Sequence, residues 1–380
     1  MHSTLPVQQE HPDRPVPPPC RAGAGAGAEG ARRRLGALDG LRLSAALMVV
    51  AYHYLAFGSG AWPRPPHTLF PTGHLPASYG WLGVQLFFLI SGFVICLSGW
   101  QRGLAEFAVS RVTRLYPAYW FAVLAVTLVL WRWPQVNARP GLREAAVNLT
   151  MLQDPLGVEP VDGVYWTLWV EMRFYLLFAL VVRQGLTYRR TVGFCLVWAF
   201  AATAARAGGN ELLNGVLMPG DCWYFIAGIA FYLMYRFGPN QVLWLIIGGC
   251  FLITQHDLLA AQARAEGYMG HKVPHWPTTL LLMLFFLAMA AVALGWTQRL
   301  EWRWLSTAGA LTYPLYLLHE RIGWVIIKHA DGRLPRYVLL PALVAGMLMA
   351  AWLVHRWVER PLARRVGGSL RNAVTAIRSG

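Results

Sequence analysis

Charge is what this sequence has least of. Only 13% of its 380 residues are charged against 56% hydrophobic, and the mean hydropathy is +0.40. Soluble globular domains carry about 25% charged residues, so that class is excluded. Lysine is nearly missing, with Lys272 and Lys328 the two among 33 basic residues. The others are arginines dealt out between apolar segments. A compact nucleic-acid-binding domain is therefore excluded, although the net charge is +15. Cysteine is sparse: Cys20, Cys96, Cys195, Cys222 and Cys250 are odd in number and widely spaced, four of them in apolar runs. That pattern suits packing residues and offers neither a disulfide framework nor a zinc site, and no metal is expected.

Long hydrophobic runs are what the sequence does have. Crossing a bilayer takes about 20 mostly apolar residues. Ten such runs occur, at 38–57, 79–100, 115–132, 164–183, 191–206, 213–235, 241–256, 276–296, 308–328 and 336–358. The expected fold is all-α: a polytopic integral membrane protein of about ten transmembrane helices, multi-pass in the plasma membrane. Residues 1–34 combine a proline-dense stretch, a Gly/Ala alternation and the triplet Arg32 to Arg34. They read as a disordered cytoplasmic leader without signal-peptide features.

With that leader inside, 20 basic residues fall on the cytoplasmic side, ten on the outer side, and Arg42, Arg173 and Arg321 within helices. This is the asymmetry of the positive-inside rule. Both termini are thus expected in the cytoplasm, around a transmembrane domain at 35–361 and a basic tail at 362–380 on the membrane surface. No appended soluble domain is expected. The long loops 58–78 and 133–163 lie outside, and Leu142 to Leu152 could form an interfacial helix.

Ionisable residues inside membrane spans are costly and mark function by default. Arg42 and His53 are eleven positions apart, three helical turns plus about 20°, so they share one face roughly 16 Å apart. An anion held at Arg42 could reach His53 through an extended arm, as acyl-coenzyme A would. Equally, Arg42 could be a snorkelling anchor and His53 a core histidine. Arg111 and Arg114, three apart, suit a phosphate clamp or ordinary interfacial anchoring. Glu171 lies at a depth similar to that of His53. It could fix an imidazole tautomer, or pair with Arg173 or Arg321 as structural glue. Ser91 and Gly92 favour close helix approach, and His319 fits a structural role slightly better than a substrate-positioning one.

In this order, inside ten hydrophobic spans, these segments resemble the membrane-bound acyltransferase 3 family. That family includes bacterial O-acetylases of surface polysaccharides and O-acylases of macrolide sugars. The resemblance covers about residues 36 to 361. It rests on Leu38-Asp39-Gly40-Leu41-Arg42 with His53 at Arg-x10-His spacing, Phe87 to Phe93 with Ser91-Gly92-Phe93, Arg111-x-x-Arg114, Trp166 to Tyr175 with Glu171, and Tyr313 to His319. It implies acyl transfer from cytoplasmic acyl-CoA, a co-substrate with no bound cofactor, to a hydroxyl. Arg42, Arg111 and Arg114 would bind the donor. His53 would act as general base with Glu171 orienting it, or as a transient acyl carrier, with Asp39, Ser91, Trp166, Tyr313 and His319 in support. One departure is Thr167, where the family commonly has serine.

The expected acceptor is a hydroxyl-bearing glycoside or glycan. Arg- and Ala-rich, Lys-poor usage hints at a high-GC genome and at a glycosylated natural product such as a macrolide, with a cell-surface polysaccharide as the alternative. A transporter of a sugar or lipid-linked metabolite would also suit ten spans with intramembrane charge, although the halves show no repeat.

Overall fold

A computed structural model describes residues 24–379 apart from 135, 299–301 and 303. Each of the ten apolar runs holds a long helix: α1 (Ala24–Leu55), α2 (Gly83–Gly99), α3 (Leu104–Arg132), α4 (Trp166–Gln184), α5 (Tyr188–Gly208), α6 (Cys222–Phe237), α7 (Gln241–Met269), α8 (Trp276–Ala293), α9 (Trp304–Ala330) and α10 (Arg336–Val354). The run 213–235 is broken at Met218, where a short helix, Glu211–Leu217, ends ahead of α6. A π-helical turn, His355–Glu359, leads into α11 (Arg360–Ser379). Among the described residues β structure is limited to one isolated bridge, Asp331 to Leu334. The protein is an all-α, multi-pass membrane protein.

Taken with the short helical segments that adjoin some of them, eight of these helices are long and apolar enough to cross a membrane, two fewer than the ten expected. The two that fall short are α1 and α9, and the reason is chemical, since both have the length. Their ionisable residues lower the hydropathy: Asp39, Arg42 and His53 in α1, and His319, Glu320 and Arg321 in α9. The two helices pack extensively on each other, which turns this polar content toward the protein interior, where it is tolerated.

The ends depart from expectation. Helix α1 reaches back to Ala24, so part of the segment expected to be disordered is helical. The proline-dense stretch and Cys20 lie outside the described residues. The basic tail is helical as α11 and lies against α3, where a Cβ at Gly367 would come within 3.1 Å of Thr113. In the second outer loop, Leu142–Asn148 is a short helix.

Burial sorts the helices into lipid-facing and central ones. Leu124 and Leu128 on α3, Leu176 and Leu180 on α4, and Leu196 and Phe200 on α5 are exposed. Each pair is four residues apart and so lies on one helix face, the apolar exterior that hydrocarbon requires. By contrast α6 is buried without a break from Cys222 to Met234. It packs on α2 at a glycine crossing. A Cβ at Gly92 would collide with the Phe225 carbonyl, and one at Gly228 with the Leu89 carbonyl. Small residues at that point let the two backbones touch.

Candidate active site

Two cavities meet between α1, α2, α4 and α9, with Val84 and Tyr316 lining both. The first, about 90 Å³, is lined by Arg42, Ser91, Arg111, Arg114, Glu171 and Tyr313 among others. The second, about 510 Å³, takes in His53, Trp166, Glu320 and Arg321.

The smaller cavity gathers charge that is already held in place. Arg42 lies 3.0 Å from Asp39 Oδ1 one turn earlier. Gly309 of α9 leaves room for that carboxylate, since a Cβ there would collide with Asp39. Buried Arg111 donates to Ser98 Oγ and Ser110 Oγ, each at 3.0 Å. Its guanidinium also sits over the rings of Phe107 and Tyr175, at 5.8 and 5.5 Å. Arg114, one turn on, is exposed at the rim. Glu171 accepts from Ser91 Oγ at 2.7 Å and from the Tyr175 hydroxyl. Tyr313 donates to the Leu115 carbonyl at 3.0 Å, tying α9 to α3.

In the larger cavity His53 is fixed by a second histidine. His319 Nδ1 lies 2.8 Å from the Tyr316 carbonyl, which can only accept, so the proton of His319 sits on Nδ1 and its Nε2 is an acceptor. His53 Nδ1 lies 2.9 Å from the Val49 carbonyl and 3.1 Å from that Nε2, and its N–H is shared between them. His53 Nε2 is left with its lone pair, 3.8 Å from Glu320 Oε2. The backbone is pinned as well. Trp324 Nε1 donates to the His53 carbonyl at 2.9 Å, and the Tyr54 hydroxyl to the His319 carbonyl at 2.8 Å.

Asp162, at the end of the second outer loop, closes this arrangement. Its carboxyl accepts from the backbone N–H groups of Val164 and Arg321, each at 3.2 Å. Burial, with Glu320 beside it, pushes the Asp162 carboxyl well above the usual carboxylate range. Gly163 leaves room for the Glu320 carboxylate, which a Cβ there would displace.

This geometry corrects the expected pairing of His53 with Glu171. The polar partners of Glu171 are Ser91 and Tyr175, in the arginine-lined cavity, whereas His53 is oriented by His319. The structural leaning for His319 also shifts, since it holds the imidazole of His53 directly. Asp39, Ser91 and Tyr313 join the arginines, and half-exposed Trp166 lines the histidine cavity. Thr167 keeps a hydroxyl at the family's serine position, 2.9 Å from the Tyr316 hydroxyl on the shared wall. Glu320 and Asp162 went unassigned from sequence. An acid beside a histidine in an apolar span was the available signal for Glu320.

Comparison with known proteins identifies a family. A family model described as an acyltransferase domain matches residues 35–356, from within α1 to just past α10. The O-acetyltransferase OatA of Staphylococcus aureus is 31% identical over 376 residues, covering 88% of this chain and 58% of its own length. The chain thus spans little more than half of that relative. The exopolysaccharide production protein ExoZ of Rhizobium meliloti is 26% identical over 79% of this chain and 94% of its own. The acyltransferase MdmB of Streptomyces mycarofaciens is 26% identical over 88% and 93%. No solved structure matches the chain. On a match that runs over most of its length and takes in both cavities, the chain belongs to the acyltransferase 3 family of multi-pass membrane proteins.

Proposed function

We propose that this protein is a membrane O-acyltransferase that moves an acyl group from acyl-CoA to a hydroxyl of a sugar-containing acceptor, a glycosylated natural product such as a macrolide. One observation carries the reading: a cavity rich in arginine and a cavity holding a histidine with a free Nε2 share a wall at Val84 and Tyr316. Donor phosphates would be held by Arg42, Arg111 and Arg114 through charge-assisted hydrogen bonds. Glu171, held by Ser91 and Tyr175, offsets part of that positive charge. The orientation expected from the distribution of arginines opens this cavity to the cytoplasm, where acyl-CoA is made.

The acceptor would enter the histidine cavity. His53 Nε2 takes the proton of the acceptor hydroxyl as the oxygen attacks the thioester carbonyl. The tetrahedral intermediate collapses with cleavage of the C–S bond, and the imidazolium returns its proton to the leaving thiolate. Ester and coenzyme A result, with His53 regenerated. Glu320, 3.8 Å away, stabilises the imidazolium while it carries the proton. The names of OatA and MdmB, an O-acetyltransferase and an acyltransferase, support the reaction class. The name of ExoZ keeps a cell-surface polysaccharide as the second acceptor reading.

Mass spectrometry of small-molecule extracts from cells with and without intact His53 tests this. Loss of an ester of defined mass increment in the His53→Ala strain is the expected result, because removing a general base lowers the rate by about 10² to 10⁴. An unchanged ester profile alongside altered export of a metabolite would replace the enzyme with a transporter.

A further inference from the structure

Two buried carboxyl groups meet beside the reacting histidine. Asp162 has no exposed surface and Glu320 is 4% exposed, and a hydrogen bond joins their side chains. An ionised carboxylate has no hydrogen to donate, so that bond exists only while one of the two is protonated. The acyl-transfer step above uses Glu320 and gives Asp162 no part.

The surroundings decide which of the two keeps the proton. Glu320 Oε1 lies 3.7 Å from Arg321 Nε, and its Oε2 lies 3.8 Å from His53 Nε2. A cation at one oxygen and a base that becomes cationic at the other favour the charge on Glu320. Asp162 is met by neutral donors, the backbone N–H groups of Val164 and Arg321. Both bonds are 3.2 Å long, beyond the about 2.7–2.9 Å of charge-assisted hydrogen bonds. Complete burial acts in the same direction, because a neutral carboxyl loses far less solvation than a charged one. Arg321 and the hydroxyls of Tyr54, Tyr119, Tyr165 and Tyr316 also stand beside Asp162, and tyrosine is uncharged at neutral pH. One proton on the pair therefore leaves one negative charge beside the Arg321 cation.

We propose that Asp162 works as an uncharged acid whose hydroxyl donates to Glu320 and holds that carboxylate toward His53, which makes Asp162 a positioning residue for the proton transfer. Its own proton stays in place through the cycle. His53 alone receives the proton of the acceptor hydroxyl and returns it to the leaving thiolate. A second negative charge at Asp162 would repel Glu320 and break the bond that aims it. Because Asp162 also binds the Arg321 N–H, the same group ties the second outer loop to α9.

Infrared spectroscopy of the full chain in lipid nanodiscs at neutral pH reads the proton directly, since a carboxylic acid and a carboxylate absorb at separate frequencies. Difference spectra between isotope-labelled and unlabelled protein remove the lipid ester bands. A carboxylic acid band that shifts with carboxyl-13C aspartate is expected, lost in Asp162→Asn and kept in Asp221→Asn. In turnover assays Asp162→Ala should lower kcat about tenfold or more, with the donor KM within about twofold. Asp162→Asn, whose amide N–H can donate to Glu320 from the same place, should bring kcat back to within about threefold of wild type. No aspartate acid band in the unaltered protein, a band that shifts only with labelled glutamate, or Asp162→Asn as slow as Asp162→Ala in folded protein would overturn the proposal. The part given to Glu320 rests on the acyl-transfer reading, but the band is measured without turnover. An aspartate acid band in a protein that transfers no acyl group would uphold the protonated pair and sink that reading.

Discussion

The two cavities differ in how their polar groups are spent. In the arginine-lined cavity the charged groups are largely held by the protein: Arg42 by Asp39, Arg111 by two serines and two aromatic rings, Glu171 by Ser91 and Tyr175. In the histidine cavity His53 is held by Val49 and His319, while Trp81, Gln85 and Asn137 keep buried polar atoms without partners, as Arg111 keeps its Nε in the first. The first is narrow and the second more than five times larger, about 90 against 510 Å³. A preorganised charged site suits an anionic group such as a phosphate, because little reorganisation accompanies binding.

That contrast can be broken from either side. The largest expected effect is on the donor. Combining Arg42→Ala with Arg114→Ala removes two guanidiniums from one cavity, and hydrogen bonds to charged groups contribute about 1.5–3 kcal/mol each. The donor KM should rise about 10²-fold or more with the acceptor KM unchanged, as steady-state kinetics varying each substrate would show. An equal rise in both would mean the cavities are not separate binding sites.

Glu320→Gln acts on the other side. It removes the carboxylate 3.8 Å from His53 Nε2 and should lower kcat about tenfold, the equivalent of one pKa unit on the imidazole. Donor binding should stay within twofold by calorimetry. If kcat holds and only the donor KM moves, Glu320 belongs to the wrong cavity.

The smallest effect sharpens the correction to Glu171. Ser91→Ala removes one hydrogen bond to that carboxylate, about 1 kcal/mol. It should shift the donor KM a few-fold and leave the pH dependence of kcat unmoved. A shifted pH profile would restore Glu171 as a partner of His53.

These differences show what the chain made legible. Hydrophobic length located all ten long helices, because a span announces itself through its own composition. The same signal explains why α1 and α9 rank lowest as spans, since Asp39, Arg42, His53, Glu320 and Arg321 make them polar. The Arg42, Arg111 and Arg114 cluster was likewise readable, from spacing and charge. The partner of His53 was not. Position along one helix gives depth and says nothing of which neighbour a face meets. Glu171 and His53 therefore looked level, yet α4 turns its glutamate to Ser91 of α2 while α9 brings His319 to α1. Asp162 was hidden for a similar reason, being in a loop whose return to Arg321 only packing reveals.

The most direct measurement of the separation between donor binding and chemistry is made on one variant. Purified His53→Ala in nanodiscs would be assayed for coenzyme A binding by calorimetry and for single-turnover acyl transfer from radiolabelled acetyl-CoA. Donor affinity within twofold of wild type together with a rate loss of about 10² or more is the predicted result. Loss of coenzyme A binding, or more than half of the wild-type rate retained in correctly folded protein, would contradict the placing of His53 at the chemical step.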